Sequence, residues 1–210
     1  MRGLFITFEG IEGCGKSTQV ELLKANLEAK GCTVEVTREP GGTAISEEIR
    51  NILLDPAHGE MSPIAELLLY QASRAQHVSE RIRPALESGT IVVCDRFYDS
   101  TTAYQGAGRG LPRQDLKRLH TLATGGLSPD LTILIDLDAE TGLTRVKNVR
   151  ESDRMEQESL AFHNRVREGF LKLADQETER IKVVDGGPPQ EKIAAEILLL
   201  VTPLLDASRT

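Results

Sequence analysis

The chain has 210 residues, 40% apolar and 27% charged, which fits one globular domain without a disulfide or metal staple and excludes a disordered or fibrous polypeptide. A formal net charge of -7 excludes a nucleic-acid coat or a polybasic membrane module as its main role. Yet 17 of the 25 basic residues are Arg, the side chain that grips phosphate and carboxylate bidentately, so small anions held at local sites are the expected use of that charge.

Five apolar runs, at 4–8, 33–37, 91–94, 131–137 and 181–184, are near-continuous rather than alternating. That pattern predicts parallel strands with both faces covered. Between the first two, Val20, Leu23 and Leu27 form a helical stripe closed by Gly31. Ser62-Pro63 signals a helix start before 64–69. Leu116, Leu119, Leu122 and Ala123 give another stripe, closed at Gly125, and Phe162, Val166, Phe170 and Leu173 a further one. Pro189 opens a C-terminal helix whose apolar stretch, 193–205, holds Glu196 and Pro203 and is too short to span a bilayer. The alternation predicts a single α/β domain, 1–210, with a parallel sheet flanked by helices. Residues 148–158 are almost wholly polar and read as a mobile flap between two helices. Cys14, Cys32 and Cys94 have no metal-ligand or redox spacing, and the first apolar run reaches Glu9 too early for a signal-peptide core. Both features suit a reducing cytoplasm.

The clearest chemistry lies in Gly10-Ile11-Glu12-Gly13-Cys14-Gly15-Lys16-Ser17, a full G-x-x-x-x-G-K-[ST] match between a strand and a helix. Glycines let backbone N–H groups wrap a phosphate at a helix N-terminus. Lys16 is expected at the β- and γ-phosphates and Ser17 at Mg²⁺, with Thr18 completing the ATP site. The motif alone does not choose among GTPases, motor ATPases and small-molecule kinases, although no Asn-Lys-x-Asp guanine signature is present.

Further candidates follow the strands. Residues 37–43, TREPGGT, make a tight turn at the sheet's ligand-binding edge, with Glu47, Glu48 and Arg50 on the next helix. Asp95-Arg96 ends the third strand, where a carboxylate can face Mg²⁺ and a guanidinium a second phosphoryl group, or the two can form a structural ion pair. Tyr70 and Arg74 share a helix face that suits a nucleobase, or place a core ring beside a surface cation. Arg145, Lys147, Arg150 and Arg154 make the polar segment a basic lid, about 145–158, that could neutralise a transferring phosphoryl group, unless Glu151, Asp153, Glu156 and Glu158 screen it.

Together these residues resemble the bacterial thymidylate kinases. The resemblance rests on the phosphate loop with Glu12, TREPGGT at 37–43, ASRAQH at 72–77, CDRFYDSTTAYQGAGRG at 94–110, SPDLTILIDL at 128–137 and DRMEQE at 153–158, and spans most of the chain. It implies a P-loop NTPase fold with a five-stranded parallel sheet, a homodimer, and transfer of the ATP γ-phosphoryl to dTMP. It implies that Tyr70 stacks on thymine and Arg74 binds its exocyclic oxygen. Thr101 and Gln105 would contact base or phosphate, and Tyr104 would lie against the deoxyribose. Glu12 would approach the 3′-hydroxyl, and Arg50 and Arg96 would grip the acceptor phosphate. Glu39 and Asp95 would lie near metal or phosphates. Members of the family with an Arg in the phosphate loop use it as a catalytic cation. Gly13 stands there in this chain, which makes Arg154, then Arg150, the expected lid cation. A deoxynucleoside kinase and a nucleotide-binding protein without turnover stay as rival readings of the same residues.

Overall fold

Glu9, Arg38, Asp95, Asp136 and Asp185 close the five strands, so the C-terminal edge of the sheet is lined with charge. The computed structural model describes residues 2–148 and 151–207, so Arg150 lies outside the described residues. The strands are β1 (Phe5–Glu9), β2 (Val34–Arg38), β3 (Ile91–Asp95), β4 (Leu131–Asp136) and β5 (Ile181–Asp185). They form one all-parallel sheet in the order β2-β3-β1-β4-β5. Each expected apolar run became a strand within a residue or so of its predicted ends.

Successive strand side chains point to opposite faces, and both faces are buried. Ile6 and Phe8 of β1, with Ile91 and Val93 of β3, join the larger core. Phe5, Val92 and Cys94 from the same two strands join the smaller one. This two-sided burial is why the runs read as continuous rather than alternating.

The helices are α1 (Lys16–Ala29), α2 (Ala44–Leu54), α3 (Pro63–His77), α4 (Arg83–Glu87), α5 (Tyr98–Thr101), α6 (Arg113–Thr124), α7 (Ala139–Lys147), α8 (Leu160–Gln176) and α9 (Gln190–Ala207). A π-helical turn at Thr102–Gly108 continues α5. Side-chain oxygens of Thr43, Ser62, Asp138 and Ser159 cap α2, α3, α7 and α8, each accepting a free backbone N–H of the first turn. Helix α1 has no such cap: Gly15 precedes it at φ 99°, and its first N–H groups are left for an anion. Along α9, Ile193, Ile197, Val201 and Leu205 bury one face. No helix among the described residues is long and apolar enough to cross a membrane.

One expectation is corrected. Leu122 is 80% exposed rather than part of the α6 stripe, because at 100° per residue it lies a third of a turn away from the buried Leu116. Part of the segment expected to form a lid packs against the protein. Arg154, Met155 and Glu156 are buried there, and the Asp153 carboxylate accepts the N–H groups of Met155 and Glu156 to fold the turn.

Candidate active site

The phosphate loop leaves β1 through Gly10, whose φ is 138° and whose place for a Cβ lies 2.4 Å from the Ile135 carbonyl. Only glycine fits such an approach. Ile11 and Cys14 are buried and anchor the loop from below. Lys16 folds its ammonium back over the loop, donating to the carbonyls of Ile11 at 2.8 Å and Gly10 at 3.2 Å. Ser17 and Thr18 are exposed at the start of α1. The Ser17 hydroxyl donates to Asp95 Oδ2 at 2.7 Å, bringing together the two residues expected at the metal.

Gly13 has a tight neighbour. A Cβ there would sit 2.1 Å from the Gly142 carbonyl, and a Cβ on Gly142 would sit 2.3 Å from the Glu12 carbonyl. The loop and α7 therefore meet backbone to backbone. One turn further along α7, Arg145 donates to the Gly13 carbonyl at 3.4 Å.

Arg96 organises the acceptor end. It is a non-glycine residue at φ 73°, a left-handed conformation that costs energy and is concentrated at functional sites. From there its guanidinium donates to the Gly10 carbonyl at 2.9 Å, Ser100 Oγ at 3.0 Å and Glu12 Oε1 at 3.0 Å, and lies 5.1 Å from the Tyr104 ring centre. Tyr104 donates its hydroxyl to the same Glu12 oxygen at 2.5 Å. Burial works against the Glu12 charge, but Arg96, then His163, Lys16 and Tyr104, outweigh it and hold this carboxyl well below the usual carboxylate range. Beneath it, Glu9 accepts from Phe97 N–H at 2.7 Å and from the Ser100 hydroxyl at 2.5 Å, fixing the turn that presents Arg96. Burial, then the Asp99 carboxylate, push Glu9 up to about 8.

A second ion pair closes the wall. Arg74 is 1% exposed and donates to Glu39 Oε2 at 2.7 Å, to Gln71 and to the Phe97 carbonyl. Glu39 also meets His77 Nδ1 at 3.1 Å, and its peptide bond to Pro40 is cis. Arg50 donates to the Pro40 carbonyl at 2.8 Å. Glu66, fully buried, gathers Gln105 at 2.8 Å, Arg109 at 2.9 Å and Arg154 at 2.7 Å.

These groups line one crevice of about 250 Å³ at the C-terminal edge of the sheet. It brings together Glu12, Gly13, Lys16, Ser17, Glu39, Arg50, Tyr70, Arg74, Asp95, Arg96, Thr101, Tyr104 and Gln105. The expected nucleotide-site residues thus converge, apart from loop residues whose contribution is backbone. Arg154 is not among the lining residues: its Nε and Nη1 donate to the Leu53 carbonyl and to Glu66, its Nη2 is buried without a hydrogen bond among the described residues, and Asp153, Met155 and Glu156 face the crevice. Among the described residues of the basic segment, Arg145 donates to the phosphate loop. Sequence reasoning passed over Glu9, Glu66, Ser100 and His163. A carboxylate or imidazole at a buried position of an apolar pattern, as in FITFE or PIAELLLY, is the signal that marks three of them.

Comparison with known proteins agrees with this geometry. Residues 8–197 match the family model described as thymidylate kinase. The thymidylate kinase of Trichlorobacter lovleyi is 52% identical over 200 residues, covering 92% of this chain and 94% of that protein. That of Deinococcus radiodurans is 52% identical over 201 residues, covering 96% and 97%. The crystal structure of thymidylate kinase from Ehrlichia chaffeensis superposes with a TM-score of 0.78 at 35% identity, covering 96% of this chain and 99% of that one. With its phosphate loop and these relatives over nearly its whole length, the chain belongs to the thymidylate kinase family.

Proposed function

We propose that this chain transfers the γ-phosphoryl group of ATP to dTMP, giving ADP and dTDP as a DNA precursor. The observation that carries the reading is the meeting of Lys16 and Arg96 in one crevice, both donating to the Gly10 carbonyl. A donor-phosphate cation and an acceptor-phosphate cation are thereby held on the two sides of one loop.

The acceptor phosphate is already anionic and nucleophilic near neutral pH, so it needs no strong general base. Catalysis is then positioning and charge neutralisation. The loop N–H groups and Lys16 hold the ATP phosphates. Arg96 and Arg50 hold the acceptor phosphate in line, and Arg145 adds charge from α7. Tyr70 stacks on thymine, while Arg74, Thr101 and Gln105 set its edge. Tyr104 lies against the deoxyribose and disfavours a 2′-hydroxyl, and Glu12 faces the 3′-hydroxyl.

Ser17 and Asp95 offer hard oxygen donors 2.7 Å apart, a set that suits Mg²⁺ completed by phosphate oxygens and water. When bound there, Mg²⁺ supplies charge neutralisation to the phosphates. A homodimer is supported by Ile45, Ile52, Ile64, Leu68 and Leu122, apolar and exposed on α2, α3 and α6, of which α3 packs against the other two. Light scattering on wild type and Leu68→Glu checks it: a dimer that the charge splits. Three free cysteines fit a cytoplasmic enzyme.

The deciding measurement is ADP release with dTMP, dUMP, UMP or dCMP as acceptor. Turnover should be fastest with dTMP. Preference for UMP would overturn the assignment, and ATP binding without dTDP formation would leave only a nucleotide-binding protein.

A further inference from the structure

The buried face of α8 consists of Phe162, His163, Val166, Phe170, Leu173 and Ala174, and His163 is its one polar member. It is 1% exposed, and neither ring nitrogen makes a hydrogen bond among the described residues. Its Nδ1 stands 3.4 Å from Glu12 Oε2, an oxygen that is itself buried and without a hydrogen bond. An apolar side chain would cost less at such a position than an unpaired imidazole.

The two oxygens of Glu12 are therefore unequal. Oε1 accepts from both Arg96 and Tyr104. Oε2 has only the long approach of His163, a few tenths of an ångström beyond a normal hydrogen bond. A carboxylate oxygen has two lone pairs. Oε2 is buried on the side of α8, while Glu12 as a residue lines the crevice beside Arg96 and Tyr104, so a hydrogen bond from His163 would hold the carboxylate from behind.

We propose that His163 is a positioning residue for the acceptor sugar: its Nδ1–H holds the buried Glu12 Oε2 from behind and so fixes the carboxylate that meets the 3′-hydroxyl of the nucleoside monophosphate. The inference rests on the reading that Glu12 faces that hydroxyl. Arg96, Tyr104 and His163 then restrain one carboxylate from three elements: the end of β3, the π-helical turn and α8. His163 favours acceptors with a free 3′-hydroxyl, through acceptor binding rather than through the phosphoryl step.

The test compares dTMP with 3′-deoxythymidine monophosphate as acceptors for wild type, His163→Leu, His163→Asn, Glu12→Gln and the Glu12→Gln/His163→Leu double variant. The two acceptors differ by one hydroxyl and are read in the same sample, so any loss of folded protein cancels from their ratio. His163→Leu should raise KM for dTMP about tenfold, the scale of one hydrogen bond to a charged group, and leave KM for the 3′-deoxy acceptor within about twofold. His163→Asn, whose amide N–H takes the place of Nδ1–H, should recover most of the loss. The double variant should be no worse than Glu12→Gln alone. Equal losses on both acceptors, or no recovery with Asn, would reduce His163 to a packing residue and overturn the proposal. If Glu12→Gln discriminates between the acceptors as wild type does, the Glu12 reading fails and takes the proposal with it. If Glu12→Gln loses the discrimination while His163→Leu keeps it, only the proposal fails.

Discussion

At the donor end of the crevice, from Gly10 to Ser17, the groups offered to a phosphate are backbone N–H groups and one ammonium held by two carbonyls. At the acceptor end they are guanidinium groups already paired to carboxylates: Arg96 to Glu12, and Arg74 to Glu39. The donor end recognises charge and shape with a contiguous stretch of main chain. On the proposed function, the acceptor end would recognise one nucleotide with side chains from several elements, the two paired arginines being oriented by partners distant in sequence. Main-chain sites tolerate change around them, whereas paired side-chain sites fail in pairs, because removing one partner strands the other in the interior.

The largest expected effect tests the acceptor clamp. Arg96→Ala should lower kcat/KM for dTMP by more than about a thousandfold, since it removes a preorganised cation at the reacting phosphate. A loss under tenfold in steady-state assays would deny Arg96 that role. Next comes the pairing itself. Glu66→Gln keeps the shape but strands the charge of Arg154 and leaves Arg109 with Glu158 alone, and should cost about 3 kcal/mol in urea unfolding while raising KM for dTMP through Gln105. Little change in both would show that the acceptor wall does not depend on its ion pairs.

Gly142→Ala probes the donor end with a single methyl. Because that methyl would press on the Glu12 carbonyl, unfolding free energy should fall by about 1–3 kcal/mol and KM for ATP should rise more than KM for dTMP. The reverse order of KM effects would contradict the division of labour between the two ends. The smallest effect lies outside the crevice. His120 contacts Gln71 at 3.0 Å and Thr102 at 3.0 Å, and burial, then Arg74, lower it to about 3. Its folded pKa lies below its unfolded value near 6.5, so its stabilising contribution is present above about pH 6.5 and lost as pH falls toward 3. Thermal melts of wild type and His120→Gln should therefore converge between pH 7 and pH 4.5, and a pH-independent gap would count against a buried neutral imidazole.

The fold was largely legible because two-sided burial leaves a clear trace: 91–94 and 131–135 are almost wholly apolar on consecutive residues, and both became buried inner strands, while the edge strand at 181–185 carries Lys182 and is buried at only two of its five residues. The phosphate loop was legible because its chemistry is contiguous. The partners of its neighbours were not, since Glu9 meets Ser100, and Glu66 meets Gln105, Arg109 and Arg154, across dozens of residues. Local spacing carries no record of such pairs. Composition at 151–158 left open which charges were solvated, and it carried no sign that Arg154 donates to Glu66 and the Leu53 carbonyl inside the protein.

The contact between Gly13 and Gly142 bears on how the site can vary. A side chain at position 13 is excluded by main chain rather than by another side chain, so no single substitution opposite it makes room. Installing a cation in the phosphate loop would require α7 to move first, and α7 carries Arg145, the cation that already reaches the Gly13 carbonyl. At position 13, then, the limit on variation is set by main chain on both sides, and a side chain there would be felt first as a displacement of α7.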